Sequence, residues 1–410
     1  MTQSNKQNPQ SAGDIDLSFG VNGEVKLTEG SIRAVTDDGE GLILAVWIDE
    51  ETQLHRVLSD GSKDLTFGDN GVVKCQFEKD EDARPEQLIR QADGKFLLVG
   101  SSIRTHFLWR TAVSRFHPNG RPDLEYGTKI FPYPYDPDSV RFYPHRPVAC
   151  LQADGKLLVS SGYRVDDVDG RPIYEAGRLH RLDVNGLSDR GFGIDGQIEI
   201  RIKGQDTRIE GIGALPDAKI VVSATLDRVK DDTSNARISV ACLESNGKLD
   251  QTFADGGYWE AKNYSSSAKM TVDDDKIILL GTEKRDGAAV STFSMFKLMP
   301  DGKPDPTFND GAPLPIDVGE GRLFPVTVMH SKQRIVALVY RFDGDIWIHV
   351  MRVHNRGELD LDFGGAGSIK LGPGDASDGI VQGNSGRIIL AADCGSYTTK
   401  KEPTVIGILS

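Results

Sequence analysis

Short apolar segments separated by tight turns recur along the chain. In the most regular stretch, Glu86–Gln91 is a predicted strand, an Asp93-Gly94 turn follows, and Phe96–Gly100 is a second, largely apolar strand. Thr111–Phe116 is a predicted third strand, and a further turn leads to a fourth. Glycine at such a turn adopts the positive φ that a two-residue hairpin requires. The pattern predicts units of four antiparallel strands.

The same order of strands and turns returns throughout the sequence. A second strand of similar apolar character is predicted in each of the other units: Leu42–Trp47, Leu157–Gly162, Ile220–Ala224, Ile277–Gly281, Ile335–Val339 and Ile388–Ala392. A strand that is apolar without alternation is expected where neighbouring elements cover both of its faces. The units are therefore expected to pack against one another.

A short motif marks the turn before each fourth strand: an Asp, two variable residues, an aromatic residue and usually a Gly. Its copies begin at Asp16, Asp64, Asp123, Asp189, Asp250, Asp305 and Asp360. The six intervals between these residues average about 57 residues, which is typical of a propeller blade. We therefore predict an all-β fold, a seven-bladed β-propeller with four antiparallel strands in each blade. The period is too long for a β-helix and too short for an immunoglobulin-like sandwich.

The two ends of the chain predict how the ring closes. The chain opens with the motif and a fourth-type strand, Glu24–Leu27, and ends with a third-type strand, Thr404–Leu409. The N-terminal strand is therefore expected to complete the last blade by pairing with the C-terminal one. The propeller is predicted to span residues 14–410, after a disordered polar segment at residues 1–13.

The repeated motif, called the Asp motif below, has a structural explanation. Its Asp can accept backbone N–H groups within a turn, its aromatic residue can wedge between blades, and its Gly can adopt a positive φ. A metal ion at each Asp is the alternative, but each turn offers one carboxylate and no second oxygen ligand at a fixed spacing. The motif is therefore expected to build the fold rather than to carry function.

A resemblance to a known family follows from these segments. The phrase Gln91–Gly100, its close copy Gln152–Gly162 and the recurring Arg-Phe-x-x-x-Gly-x-x-Asp-x-x-Phe-Gly segments resemble the delta-60 repeat family of bacterial β-propeller proteins, and more loosely NHL-type propellers. The resemblance covers nearly the whole chain and implies a fold, but no defined activity. The fifth and sixth copies depart from the pattern, because Phe253 and Phe308 are not followed by Gly.

Composition limits the partners. The formal net charge is −13 and there is no basic block, so nucleic acid is not an expected partner. No apolar run is long enough to insert into a membrane, and Met1–Gly13 lacks the apolar core of a signal peptide. We therefore expect a cytoplasmic protein, or one that is exported without a cleaved signal. The four cysteines lie far apart and are expected to be free thiols.

Strand order assigns the connections to two faces. The Asp-Gly turns and the Asp motifs fall on one face, and the connections of variable length fall on the other. Function on a rigid scaffold usually lies in variable loops. The longest loops are predicted at Ser102–Arg110, Pro132–Pro144 and Arg164–Ala176, in the second and third blades.

These loops carry aromatic candidates for ligand binding: Trp109, Tyr133, Tyr135, Tyr143 and Tyr174. Aromatic rings beside carboxylates suit a sugar, whose apolar faces stack while its hydroxyl groups form hydrogen bonds. They suit a protein partner equally, because aromatic residues dominate protein interfaces. The alternative is that these rings only pack the loops onto the blade edges.

A ring of charged residues is predicted where the first strands enter the central channel. Its basic members are Arg84, His145, Arg146, Arg208 and Arg322, with Arg33 and Lys269 slightly deeper. Glu86, Glu210 and Asp378 lie at matching depth, eight residues before the turn of their blades. Such a ring can hold an anionic or polyhydroxylated ligand, or its members can neutralise one another. If the protein is an enzyme, two of these carboxylates at about 5–10 Å would act as the acid and base of a glycosidase or lyase.

Other catalytic and metal-binding patterns are missing from the sequence. The histidines show no zinc-type spacing, and there is no nucleophile elbow, Walker loop or dinucleotide fingerprint in a fitting context. Asp167 and Asp169 belong to an acidic hairpin that would make at most a weak Ca²⁺ site, since the trailing Glu of a calcium loop is absent. No other cofactor is expected. The sequence favours a non-catalytic module that binds a carbohydrate or protein over blades two to four, with a carbohydrate-active enzyme as the alternative.

Overall fold

A computed structural model describes residues 10–105, 108–132, 141–167, 169–226, 237–261, 264–283, 292–319, 321–331, 333–396 and 398–410. The first strand, β1, is Glu24–Lys26. Sheet one consists of β2 (Ser31–Asp37), β3 (Gly41–Ile48), β4 (Glu51–Leu58) and β5 (Val72–Cys75). Sheet two consists of β6 (Asp82–Arg90), β7 (Phe96–Thr105), β8 (Leu108–Phe116) and β9 (Thr128–Ile130).

Sheet three has two additional strands, and it consists of β10 (Arg141–Pro144), β11 (Ala149–Leu151), β12 (Leu157–Ser160), β13 (Tyr163–Asp166), β14 (Pro172–Leu182) and β15 (Gln197–Ile200). Sheet four consists of β16 (Thr207–Ala214), β17 (Ile220–Leu226), β18 (Arg237–Leu243) and β19 (Tyr258–Ala261). Sheet five consists of β20 (Tyr264–Asp273), β21 (Lys276–Glu283), β22 (Thr292–Leu298) and β23 (Leu314–Ile316).

Sheet six combines two sets of strands. It contains β24 (Arg322–Ser331), β25 (Arg334–Phe342), β26 (Ile346–His354), β27 (Ser368–Val381), β28 (Ile388–Cys394), β29 (Glu402–Ile408) and β1. The start of the long strand β27 pairs with β26, and the part from Gly374 onward pairs with β28. Single 3-10 turns occur at Ile202–Gly204 and Asn309–Gly311. Among the described residues, no helix is long and apolar enough to cross a membrane.

Most of the apolar clusters lie between successive sheets, and one lies within sheet six, between its two sets of strands. One cluster joins Ile43 of sheet one to Leu98 of sheet two, and equivalent clusters join each later sheet to the next. A further cluster joins Ile389 of β28 to Leu44 of sheet one. Packed antiparallel four-stranded sheets of this kind are the architecture of a β-propeller.

The pairing of the two chain ends is confirmed. Strand β1 pairs antiparallel with β29, with Val25 opposite Val405. Nearby, the N–H of Gly13 donates to the carbonyl oxygen of Leu409 at 2.8 Å, and the N–H of Gly364 donates to that of Ala12 at 2.9 Å. The N-terminal segment is therefore held by the last strand and by the last Asp motif.

The described parts of the predicted long loops are largely strands, so this part of the prediction was wrong. Ser102–Arg110 forms the tip of the β7–β8 hairpin, as far as its residues are described. Arg164–Ala176 and the end of Pro132–Pro144 form β13, β14 and β10, which pair as an extension of sheet three. These segments were predicted as loops because they connect the strands that the repeat pattern identifies. Backbone pairing along an extended hairpin does not require an apolar face.

The Asp motif builds the turns as predicted. Oδ1 of Asp64 accepts the backbone N–H of Thr66 at 2.9 Å, and the ring of Phe67 packs between sheets one and two. All seven motif aromatics are buried. Gly68 has φ 60° and donates its N–H to the carbonyl oxygen of Asn119 in the next sheet at 3.2 Å. The motif therefore links neighbouring sheets through both a ring and a hydrogen bond.

The fifth and sixth copies keep this geometry without glycine. Ala254 and Asn309 have φ values of 43° and 45°. Their N–H groups donate to the carbonyl oxygens of Asp301 and Arg356 at 2.7 and 2.8 Å. The link between sheets thus persists where the sequence departs from the pattern, at the cost of a left-handed conformation that a side chain disfavours.

The sequence interpretation missed the basic partners of the motif Asp. Oδ2 of Asp123 lies 2.8 Å from Nε of Arg115 and 2.9 Å from Nζ of Lys95. The guanidinium of Arg115 also lies over the ring of Tyr126, 4.3 Å from its centroid. The Asp residues of the other copies form ion pairs with Arg56, Arg181, Lys219, Lys297, Arg352 and Arg387.

Candidate functional site

A cavity of about 430 Å³ lies where the first strands of the sheets converge. Residues of β2, β6, β16, β20, β24 and β27 line it, together with the segment Arg146–Ala149 that leads into β11. A volume of this size accommodates a small molecule or part of an oligosaccharide. The cavity lies where the sequence predicted the mouth of the central channel.

A β-bulge in the first strand determines which residues reach the cavity. The pairing of first and second strands shifts register at the same place in β2, β6, β16, β24 and β27, which leaves one residue without a partner. A bulge redirects the side chain of the additional residue. The five bulge residues all line the cavity: Arg33, Glu86, Glu210, Val326 and Ser377.

This geometry refines the predicted alignment of the carboxylates. Glu86 and Glu210 are equivalent bulge residues, as the spacing from the turns predicted. In β27 the bulge residue is Ser377, and Asp378 is the next residue, which pairs with Ala391. The structure thus brings Glu86, Glu210 and Asp378 to one cavity, but Asp378 is not the structural equivalent of the other two.

Two of the carboxylates have basic neighbours on their own strands. Oε1 of Glu86 lies 3.0 Å from Nε of Arg84 and 3.9 Å from Nε of Arg146. Oε1 of Glu210 lies 3.3 Å from Nε of Arg208. These contacts show that the predicted charged ring is, in part, a set of ion pairs.

Arg84 is fixed behind the cavity wall by two indole rings. Its guanidinium carbon lies 5.4 Å from the ring centroid of Trp47 and 5.5 Å from that of Trp109. Burial lowers the pKa of Arg84 to about 10, the nearby Glu86 opposes this shift, and the positive charges of Arg146 and Arg33 add to it. Trp109 therefore supports a charged residue instead of standing alone in a loop. Trp47 was not predicted to belong to the site.

Asp378 contributes the most perturbed carboxyl of the cavity. Its side-chain oxygens accept the backbone N–H of Val35 at 2.9 Å and of Gly379 at 2.8 Å. Burial nevertheless raises its pKa to about 6, and the charge of Lys269 only partly opposes that shift. A carboxyl with such a pKa can exist in either protonation state near neutral pH.

An aromatic platform on sheet six was also missed. Tyr340 lines the cavity from β25, and the ring of Phe324 stacks on it with centroids 4.9 Å apart and an interplanar angle of 22°. Phe324 is 39% exposed, which is unusual for such a ring. Burial and the charge of Asp375 raise the pKa of Tyr340, and Arg146 opposes this shift. Neither residue lies in a predicted long loop, so loop length gave no signal for them.

The aromatic candidates of sheet three have intramolecular partners. The hydroxyl group of Tyr174 donates to Oε1 of Glu199 at 2.7 Å, and the guanidinium of Arg201 lies 4.8 Å from its ring centroid. The guanidinium of Arg164 lies 4.5 Å from the ring centroid of Tyr143. Both tyrosines are half-buried. They form a surface beside the cavity rather than part of its lining.

The remaining candidates are more dispersed. His145 is buried against Glu175, with 2.8 Å between Nε2 and Oε1, and burial lowers its pKa. Arg322 is exposed at the start of β24 and does not line the cavity. Tyr133 and Tyr135 lie outside the described residues.

In the weak calcium candidate, the carboxylate of Asp167 accepts hydrogen bonds from the backbone of its own turn. Oδ1 of Asp167 accepts the backbone N–H of Asp169 at 2.9 Å and of Arg171 at 2.8 Å. Asp169 is exposed. Across the described part of the chain, no group of three His, Cys, Asp or Glu side chains is arranged to hold a metal ion.

Comparison with known proteins supports the fold. A family model described as a domain of unknown function (DUF5122) beta-propeller matches residues 273–308. This match supports a β-propeller family, and the delta-60 repeat remains a prediction. No curated protein matches the sequence.

Solved structures with similar folds are distant in sequence. The chain is similar to the polysaccharide lyase Uly1, at 12% identity and a TM-score of 0.48, over 100% of this chain and 94% of that one. It is similar to a PL25 ulvan lyase at 13% identity and a TM-score of 0.49, over 80% and 73%. It is similar to the Dos1 propeller at 10% identity and a TM-score of 0.41, over 91% and 77%. Likenesses this distant carry no argument about activity.

Proposed function

We propose that the chain is a closed, seven-bladed propeller that binds a carbohydrate or a protein partner and does not catalyse a reaction. The blade count treats sheet six as two blades that share β27, because its two parts pair with different neighbours. Closure is supported by the packing of Ile389 against Leu44 and by the hydrogen bond from Val35 to Asp378. The ligand would bind at the cavity mouth and over the variable-loop face of sheets two to four.

The cavity is the observation that carries the proposal. Its wall combines cations, carboxylates, a hydroxyl group and an aromatic ring, supplied by Arg146, Glu210, Ser377 and Tyr340 among others. Sugars need this mixture, because their hydroxyl groups both donate and accept while their apolar faces stack on rings. A recess of about 430 Å³ admits a sugar but not a folded domain, so it favours a carbohydrate over a protein partner.

A binding screen with matched variants tests this proposal. The purified chain is screened against an oligosaccharide array, and any binder is then measured by isothermal titration calorimetry. Tyr340→Ala is expected to weaken binding roughly 10-fold or more, as is expected when a stacking ring is lost. Tyr143→Ala and Arg208→Gln test whether the ligand extends over sheets three and four. Arg190→Gln on the opposite, turn face is the control and should bind normally. Normal binding by Tyr340→Ala would exclude the cavity as the site, and normal binding by Tyr143→Ala and Arg208→Gln would confine the ligand to the cavity.

A carbohydrate-active enzyme is the second candidate, because Asp378 shares the cavity with two further carboxylates and has a pKa raised to about 6. A general acid needs a carboxyl that stays protonated near neutral pH. In this case Asp378 would donate the proton, and Glu86 or Glu210 would act as base or nucleophile. Asp378→Asn should then keep binding but lose turnover of a bound oligosaccharide. If the wild-type chain releases no product from any oligosaccharide that it binds, this second candidate fails.

A further inference from the structure

Three arginines from consecutive sheets converge on one side of the cavity. Arg33 comes from the bulge of β2, Arg84 lies in β6, and Arg146 lies just before β11. Arg33 and Arg146 line the cavity, whereas Arg84 lies behind Glu86. The pKa of Arg84 responds to the charges of both other guanidinium groups, so all three are close enough to repel one another.

The neighbouring carboxylates do not fully neutralise this cluster. Glu86 is shared between Arg84 and the more distant Arg146. Among the described residues, Arg33 forms no ion pair within 4.0 Å and its buried Nε has no hydrogen-bond partner, and the charge of Asp393 acts on it only from farther away. A buried donor without an acceptor is costly, and an uncompensated guanidinium is more so.

Two indole rings add further donors beside Arg84. The indole nitrogens of Trp47 and Trp109 are buried and have no acceptor within the described part of the chain. Both rings contact Arg84 and so hold its guanidinium in one orientation. Arg84 is thereby a fixed positive charge behind the wall, whereas Arg33 and Arg146 line the cavity and can form paired hydrogen bonds with a planar or tetrahedral anion.

We propose that the ligand of this cavity is an acidic oligosaccharide, whose carboxylate or sulfate group binds to Arg33 and Arg146 while a sugar ring stacks on Tyr340. The inference rests on the proposed binding function and specifies its ligand class. Arg84 is a positioning residue: it holds Glu86 and adds positive potential without lining the cavity. The carboxylates of the remaining wall, such as Glu210 and Asp375, accept hydrogen bonds from the sugar hydroxyl groups.

The test uses pairs of oligosaccharides that differ in charge alone. Trigalacturonate is compared with its fully methyl-esterified form, and a sulfated galactose trisaccharide with its unsulfated parent, by isothermal titration calorimetry. The acidic member of at least one pair should bind roughly 10-fold or more tighter than its neutral counterpart. Its affinity should fall as salt rises, because part of the attraction is screened. The pair that shows the difference identifies carboxylate or sulfate as the anion.

Variants assign the effect to the arginines. Arg33→Gln should reduce the ratio of acidic to neutral affinity about 10-fold, whereas Arg33→Lys should retain part of the preference. Arg146→Gln, at a side chain that is 56% exposed, provides a second test if Arg33→Gln does not fold. Arg190→Gln removes the same charge from the turn face and should change nothing.

The outcomes separate this inference from the function on which it rests. Equal affinity for acidic and neutral members, with Tyr340→Ala still impaired, would overturn the anion site and keep the carbohydrate-binding function. Acidic preference that persists in both Arg33→Gln and Arg146→Gln would also overturn it. Failure of the wild-type chain to bind any oligosaccharide of either charge, on the array or in solution, would refute both.

Discussion

The fifth copy of the Asp motif, which begins at Asp250, differs in its ion pairs from the third copy, which begins at Asp123. Asp250 is 4% exposed and pairs with Nζ of Lys219 at 2.9 Å. The position eight residues earlier, occupied by Arg115 in the third copy, is the buried Cys242. Among the described residues, Lys219 is therefore the one cation within 4.0 Å of Asp250. Asp123, by contrast, keeps Arg115 even if Lys95 is removed.

We predict that Lys219→Met destabilises the protein more than Lys95→Met. The two lysines are matched: both lie 2.9 Å from their Asp, and their side chains are 28% and 25% exposed. Removing one partner of a buried ion pair costs about 3–5 kcal/mol, and the partial exposure of Lys219 reduces this to roughly 2–3 kcal/mol. Lys95→Met leaves a buried ion pair intact and should cost about 1 kcal/mol or less.

The dependence of the free energy of unfolding on pH in the acid range provides a second measurement. Burial raises the pKa of Asp250, but hydrogen bonds from Thr252 and Lys219 outweigh that effect, and the pKa is lowered overall. A carboxyl whose pKa is lowered by folding stabilises the protein at pH values above its unfolded-state pKa of about 3.9. This stabilisation is lost as the pH falls through the folded-state pKa. Lys219→Met should therefore make the loss of stability below about pH 4 less steep.

Urea denaturation of both variants at neutral pH measures the difference. The midpoint should fall further in Lys219→Met, with the slope of the transition unchanged in both. A difference below roughly 0.5 kcal/mol, which is the scatter of such comparisons, would refute the argument that the number of cations determines the cost. A larger loss in Lys95→Met would refute it as well.

Three further predictions concern the backbone and the cavity. Ala254→Gly should stabilise the protein by about 0.5–1 kcal/mol in urea, because it relieves a positive φ, whereas Asn309→Gly should gain less, since Asn tolerates that conformation. Gly120→Ala would place Cβ 2.8 Å from a motif ring and should lower the melting temperature more than Gly256→Ala, which has the same sign of φ but no atom within 4 Å. The pKa of Asp378 is raised in the folded state, which therefore binds this proton more tightly than the unfolded state does. The contribution of Asp378 to the free energy of unfolding should fall as the pH rises from about 4 to about 6. Asp378→Asn should flatten that slope in urea titrations at each pH, and an unchanged slope would assign it to other groups.

The fold could be predicted from the repeat because the same local sequence pattern forms the same strands and turns in each unit. Turn residues, strand periodicity and the position of each motif aromatic could all be predicted from the sequence. The basic partners were equally visible: Arg56, Arg115 and Arg181 each stand eight residues before a motif Asp. They were missed because the motif was considered without the strand that precedes it.

The site was harder to predict, because it depends on register. A bulge leaves no mark in the composition of β6, so the spacing from the turn found Glu86 but placed Asp378, rather than Ser377, at the equivalent position. Tyr340 belongs to a second strand, and only the register of β25 against β24 brings its ring to the cavity. Sequence patterns report burial better than they report which of two neighbouring surfaces a side chain faces.

The bulge in the first strands places side chains in the cavity at positions that are not matched in the register of the sheets. A bulge residue has no residue opposite it in the strand register, so the ladder does not fix the direction of its side chain. Arg33, Glu86 and Glu210 line the cavity in this way, whereas Val326 also packs in an apolar cluster and the Ser377 hydroxyl group donates to the carbonyl oxygen of Ile32. Positions 33, 86, 210, 326 and 377 already hold Arg, Glu, Glu, Val and Ser within one chain. Substitutions at a few of these positions can change the ligand preference of the cavity to neutral, acidic or basic, while each successive variant still folds.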